Sequence, residues 1–153
     1  MADKYPEDFC VGQVYSSSRI SVGADEIKAF AKPYDPQPFH PDDAVARSPV
    51  FGGLAASGWH TAALTMRLLV ESDAKPAGGI AGTGFDEFRW PMPVRPADEL
   101  HLESEVLEVR PSRSRPASGL VKLRRTTLNQ NGEPVQVMVA NLMMPKKPGV
   151  PTE

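Results

Sequence analysis

One cysteine, Cys10, stands among 153 residues, so the chain has no intramolecular disulfide, no Cys-x-x-Cys pair and no cysteine zinc cluster. A nucleophilic role for Cys10 would require a histidine partner and a lowered pKa, neither of which its sequence neighbourhood offers. Charge of either sign is also scarce in excess: 17 Lys and Arg stand against 19 Asp and Glu, for a net charge of −2. With no run of five or more like charges, a nucleic-acid arm and an anionic-membrane patch are both excluded as first readings. Long apolar runs are missing too. The nearest approach, Ala62 to Val70, is broken by Thr65 and Arg67 and is far too short to span a bilayer, and "MADKYPEDFCVG" has no apolar leader segment. A cytoplasmic protein without membrane or nucleic-acid partners is expected. The three histidines, His40, His60 and His101, include no i, i+4 helical pair, so neither a metal nor another cofactor is expected. The glycine-rich "AKPAGGIAGTG" lacks a Lys-Ser/Thr ending and opens no helix, which makes it a connector and not a phosphate loop.

What is present fits a single domain over residues 13–145, preceded by a segment 1–12 and followed by a flexible tail 146–153. "QVYSSSRISVG" reads as a first short strand. Ile27, Phe30 and Ala31 follow on a helical period, and Pro33 is expected to end that helix. "WHTAALTMRLLVES" gives the longest helical pattern, with Leu64, Leu68 and Leu69 on one face and Ser57 placed to cap it. From Phe85 onward the period changes to two. Leu100, Leu102, Ser104 and Val106 alternate, as do Val137 and Val139, and Asn131-Gly132 is a strong hairpin signal. The order is strand, short helix, long helix, then about four antiparallel strands, an α+β class with one long helix on a curved sheet. One helix cannot cover such a sheet, so edge-to-edge pairing into at least a homodimer is expected.

The stretch "YDPQPFHPDD" sets three prolines around one histidine and three aspartates. Read alone, His40 is a surface or structural hydrogen-bonding residue and Asp35, Asp42 and Asp43 are turn or capping residues. Taken with "VFGGLAASGWHTAALTMRLL", "FRWPMPVRPADEL" and "NQNGEPV", the stretch resembles the MaoC-like dehydratases, or (R)-specific enoyl-CoA hydratases, which have the hotdog fold. The resemblance runs from about Gln13 to Met144. Its most specific motif is Asp, any residue, Asn, Pro, an apolar residue, His; here Asp35, Pro36, Gln37, Pro38, Phe39 and His40 fill those places, with Gln37 where Asn is usual.

The resemblance implies a hydratase or dehydratase acting on a 2-enoyl or (R)-3-hydroxyacyl thioester of CoA, with Asp35 and His40 as its catalytic pair. Adding water to the double bond needs a group that takes the water proton and one that protonates C2, roles suited to a carboxylate and an imidazole. On a straight strand two side chains five positions apart would face opposite ways. A loop bent by Pro36, Pro38 and Pro41 can turn both to one water and lower the entropy lost in positioning them. The backbone N–H of Gly58, at a helix N-terminus, is suited to polarise the thioester carbonyl. The residue before it, usually His in the family, is Ser57, an Ala-Ser-Gly version found in some relatives, and is expected as an auxiliary contact. Trp59 is bulky enough to shorten or reshape an acyl pocket. Ala97 stands where the family has the glycine of Pro-Gly-Asp, a departure expected to alter a turn and not the chemistry.

Two other functions fit the same fold. A hotdog thioesterase usually arranges a carboxylate on or near the long helix, where this chain has only Glu71 at the far end. A non-catalytic acyl-CoA-binding protein would follow if Gln37 and Ser57 disabled the site. Arg110, Arg113, Arg115, Lys122, Arg124 and Arg125 cluster on neighbouring strands and their turn. For any one of them a solvated hairpin is the ordinary reading, while one or two could meet CoA phosphates. His60 is expected to pack or hydrogen-bond within the long helix.

Overall fold

The computed structural model describes residues 3–40, 52–79 and 82–149. Five strands form one antiparallel sheet: β1 (Val14–Ser21), β2 (Gly82–Arg89), β3 (Glu99–Pro111), β4 (Ser118–Leu128) and β5 (Pro134–Pro145), in the spatial order β1-β3-β4-β5-β2. Among the described residues two α-helices, α1 (Ala24–Tyr34) and α2 (Gly58–Val70), lie between β1 and β2 in sequence. The long helix on a curved antiparallel sheet is the hotdog arrangement. Among the described residues no helix is long and apolar enough to cross a membrane.

Alternation decides the sheet's two faces. Leu100, Leu102, Ser104 and Val106 of β3 are buried, as are Val121, Leu123, Arg125 and Thr127 of β4, while the charged residues between them face outward. The turn between β4 and β5 closes with Gly132 at φ 74, a backbone conformation that glycine adopts without steric cost. On α2 the buried positions His60, Thr61, Leu64, Thr65, Leu68 and Leu69 make one stripe at helical spacing.

Two apolar clusters fill the inner side. The first joins Val22, Ile27, Leu64, Leu68, Leu69, Leu100 and Leu102, where α1 and α2 meet the sheet. The second joins Phe9, Val106, Val121, Leu123, Ala140, Leu142 and Met144 toward the β3–β4 turn. Between them Arg125 interrupts the inward row of β4. Its guanidinium is buried, Nε and Nη2 meet no acceptor among the described residues, and burial lowers its pKa to about 10.

The sequence reading differs from the structure at the end of α1. Pro33 does not end α1 but sits inside its last turn, and the helix runs on through Tyr34, with Asp35 N–H donating to Ala31 O at 2.8 Å. Near a helix end a proline removes only one donor, and the following residue can still close its own bond. After β5, Lys146 N–H donates to Ala117 O and Lys147 N–H to Glu7 Oε2.

Candidate active site

Asp35 caps the C-terminus of α1, and Ser57 caps the N-terminus of α2, accepting from Trp59 N–H at 3.3 Å. The two caps touch. Ser57 Oγ–H donates to Asp35 Oδ2 at 2.6 Å, so one hydroxyl holds both a helix end and a carboxylate. The chain after α1 turns tightly, with His40 N–H donating to Gln37 O at 3.0 Å, and this returns the imidazole to the same carboxylate. His40 Nε2 lies 3.1 Å from Asp35 Oδ2, and Gln37 Nε2 donates to Asp35 Oδ1 at 2.6 Å. Pro41, Asp42 and Asp43 lie outside the described residues.

The hydrogen positions follow from the partners. His40 Nδ1 is 2.9 Å from Ala55 O, a carbonyl that can only accept, so Nδ1 carries a proton. Nε2 faces a carboxylate that also accepts only. A ring flanked on both sides by acceptors is best satisfied as an imidazolium beside a carboxylate. Burial pushes the Asp35 carboxyl upward, but hydrogen bonds from Ser57, Gln37 and His40 outweigh it and hold the group below the usual carboxylate value. Gln37, where the family motif has Asn, therefore reaches the carboxylate with its longer side chain.

Gly58 opens α2, and among the described residues its N–H meets no acceptor. A Cβ on Gly58 would lie 2.6 Å from Trp90 Cε2, so the indole packs against the bare backbone there. Gly58 and Trp90 share a cavity of about 250 Å³ with Ala56, Thr61, Met92 and Val94. Trp90 was not singled out from the sequence although it lies in the quoted "FRWPMPV". Its Nε1–H donates to Gln136 Oε1 at 2.8 Å, Gln136 Nε2 donates to Thr65 Oγ1 at 3.2 Å, and Thr65 Oγ1 donates to Thr61 O at 2.9 Å. The signal that could have found this seam is a pair of polar residues, Thr127 and Gln136, at inward positions of otherwise apolar strands.

Trp59 stands elsewhere. Its ring is 60% exposed, edge-on to Trp90 at 5.4 Å and near Phe88 at 6.1 Å, on the outer surface. His60 stacks on Phe30 at 4.7 Å and 7°, and burial lowers its pKa, leaving a neutral packing residue. Among the described residues no group of three His, Cys, Asp or Glu side chains could hold a metal ion.

The basic residues of β3 and β4 face other partners. Lys122 meets Asp86 at 2.9 Å, Arg110 meets Glu108 at 3.1 Å and Arg124 meets Glu105 at 3.3 Å. A depression of about 490 Å³ beside Arg110 and Arg113 lies at the β3–β4 turn. That turn is nearly the whole length of β3 from the strand ends that flank Trp90, roughly 30 Å at the strand rise.

Residues 9–128 match the model of the MaoC like domain. The chain is 35% identical over 124 residues to the Bacillus subtilis protein YdeM, covering 81% of this chain and 86% of that one. A mesaconyl-CoA hydratase of Cereibacter sphaeroides is 41% identical over 68 residues, 44% of this chain and 20% of that protein. Among solved structures, a MaoC-like dehydratase from Rhodospirillum rubrum superposes with a TM-score of 0.90 at 52% identity, covering 95% of this chain and 99% of that one. An (R)-hydratase from Pseudomonas aeruginosa superposes with a TM-score of 0.75 at 27% identity, covering 94% and 86%.

Proposed function

The chain belongs to the MaoC-like family, and we propose that it hydrates a 2-enoyl-CoA to the (R)-3-hydroxyacyl-CoA, or runs the reverse dehydration. The observation that carries the reading is the contact of Asp35 and His40, both drawn in from a proline-bent loop and held on a carboxylate with three donors. In the hydration direction Asp35 accepts a proton from the water that attacks C3. The thioester oxygen takes up the resulting negative charge against Gly58 N–H, at the positive end of α2. His40 then delivers a proton to C2. The 3.1 Å contact lets the proton gained by Asp35 pass to His40, which restores the starting pair. Similarity to the (R)-hydratase of Pseudomonas aeruginosa and to a mesaconyl-CoA hydratase supports this class of reaction.

The thioesterase alternative has no comparable support. Glu71 caps the distal end of α2 and pairs with Arg67 at 3.3 Å, away from Gly58. Mixing the protein with crotonyl-CoA tests the assignment directly: the enoyl-thioester absorbance should fall without release of free thiol. Thiol release would replace the hydratase with a thioesterase, and no change in either signal would favour the binding-only function.

The active unit is a homodimer. β2 is an edge strand, and beside it Phe85, Phe88, Trp59 and Trp90 form a continuous aromatic surface, with ring centroids 5.1 to 6.1 Å apart. An edge with no further strand beside it among the described residues, next to exposed aromatics, is a surface that a second copy would cover. Light scattering should give the mass of a dimer or a multiple of it, and a monomer mass alone would overturn the assignment.

A further inference from the structure

We propose that Trp90 determines acyl specificity, closing the cavity beside Gly58 so that the site takes short-chain 2-enoyl thioesters and excludes long ones. The inference rests on the hydratase reading and adds to it the class of substrate.

Position comes first. The six-membered part of the indole lies against the backbone of Gly58, since a Cβ built there would fall 2.6 to 2.8 Å from Trp90 Cε2, Cζ2 and Cδ2. Gly58 supplies the N–H assigned to the thioester oxygen. Acyl carbons that continue beyond the carbonyl into the adjoining cavity therefore run along the face or edge of this ring, opposite Thr61 and Met92. Of the side chains lining that cavity Trp90 is the aromatic one, while Met92 and Val94 are aliphatic.

The ring is also fixed. On one side Nε1–H is bound to Gln136, which is fully buried and passes the hydrogen-bond chain to Thr65 and the α2 backbone. Thr127 Oγ1 meets Thr65 Oγ1 at 2.6 Å and braces the same chain from β4. Swinging the indole aside would leave the Gln136 carbonyl buried without a donor, a change that proteins avoid. On the other side Trp59 and Phe88 meet the ring edge-on, at 5.4 Å and 82° and at 5.1 Å and 83°. Trp90 is 40% exposed on its outer side, but tethered at its nitrogen and flanked by two aromatic rings it acts as a wall and not as a gate. Hydrophobic pockets discriminate by such fixed walls more sharply against an oversized chain than against a missing methylene.

The test compares crotonyl-CoA with octenoyl-CoA as substrates, and butyryl-CoA with octanoyl-CoA as non-reacting ligands measured by calorimetry. Wild type should favour the short member of each pair. Trp90→Leu should raise the octenoyl to crotonyl ratio of kcat/KM by about tenfold or more, and Trp90→Phe, which keeps a ring but loses the tether, by less. A ratio that moves by less than about twofold in both variants would overturn the proposal. So would a wild type that binds octanoyl-CoA as tightly as butyryl-CoA, a result independent of whether Trp90→Leu folds. If wild type hydrates crotonyl-CoA but prefers the long chain, only the Trp90 assignment fails. If it neither binds nor turns over any of the four, the hydratase reading fails and takes this one with it.

Discussion

Asp35 and Asp86 are both held below the usual carboxylate value, yet one sits where two helix ends meet and the other on an edge strand, and they owe their states to different surroundings. At Asp86 the cause is the Lys122 ammonium, followed by Asn141, on a fully exposed face of the sheet. At Asp35 burial works against ionisation, and three donors from α1's exit loop and α2's cap overcome it. The first charge is a solvated ion pair among others of its kind, such as Arg110 with Glu108 and Arg124 with Glu105, where water and salt screen the attraction. The second is held by three donors beside an imidazole and the Ser57-capped start of α2. A lowered pKa alone therefore does not mark a functional carboxylate; the number and origin of its donors do.

The largest expected effect breaks the comparison at its centre. Asp35→Asn and His40→Ala should each reduce kcat on crotonyl-CoA by about 10²- to 10⁴-fold with the fold intact by circular dichroism, as loss of a general acid or base does. Asp86→Asn, the same chemical change in the other region, should leave kcat within about twofold of wild type. Losses below tenfold at both Asp35 and His40 would remove them from the chemistry.

Ser57→Ala sharpens the same contrast with a smaller effect. It removes one of the hydrogen bonds that lower the Asp35 pKa, so that pKa should rise. The sign follows directly. In the proposed hydration Asp35 works ionised, so activity should be lost as pH falls through its pKa, and in the variant that acid limb should move to higher pH. The ionised Asp35 also stabilises the fold. Its folded pKa lies below the unfolded value of 3.8, so that stabilisation is present above 3.8 and fades as pH falls through the folded pKa. Near neutral pH kcat should fall roughly tenfold, the weight of one hydrogen bond to a charged group. Loss of a helix cap alone would lower thermal stability by about 1 kcal/mol and leave the acid limb in place, so the pH profile separates the two roles of Ser57.

Much of the fold was legible because it rests on periodicity. The strand alternation from Leu100 onward, the α2 stripe through Leu64, Leu68 and Leu69, and the Asn131-Gly132 turn are local patterns with one structural solution. The end of α1 was not, because Pro33 imposes a penalty that a last turn can absorb. Within the site, the closeness of Asp35 and His40 was legible from the motif, but the contact of Ser57 with Asp35 depends on the meeting of two helix ends apart in sequence. Trp90 was hidden for the same reason. Its importance lies in the packing of one strand's exit on another element's first residue, and only Gln136 on an inward face hinted at it.

The smallest expected effect concerns strain in the turn before β3. Ala97 has φ 69, the one non-glycine residue with positive φ among those described, in the turn that leads into β3. Its N–H donates to Val22 O at 2.7 Å, and Asp98 Oδ2 accepts from Arg95 N–H at 2.8 Å, so the turn is held from both sides and Ala97 cannot relax. An alanine in this region carries a Cβ too close to the backbone, a clash that glycine lacks. Ala97→Gly removes that clash but gives the unfolded chain more freedom, and at positive φ the first term is the larger. Chemical denaturation should therefore show a gain of about 0.5 to 1 kcal/mol with an unchanged slope. By contrast Gly132, at φ 74 in the β4–β5 turn, already has the residue its backbone requires, and Gly132→Ala should destabilise by a similar amount. If Ala97→Gly instead lowered stability, the turn would not be strained, and the departure from the family's Pro-Gly-Asp would carry no energetic cost.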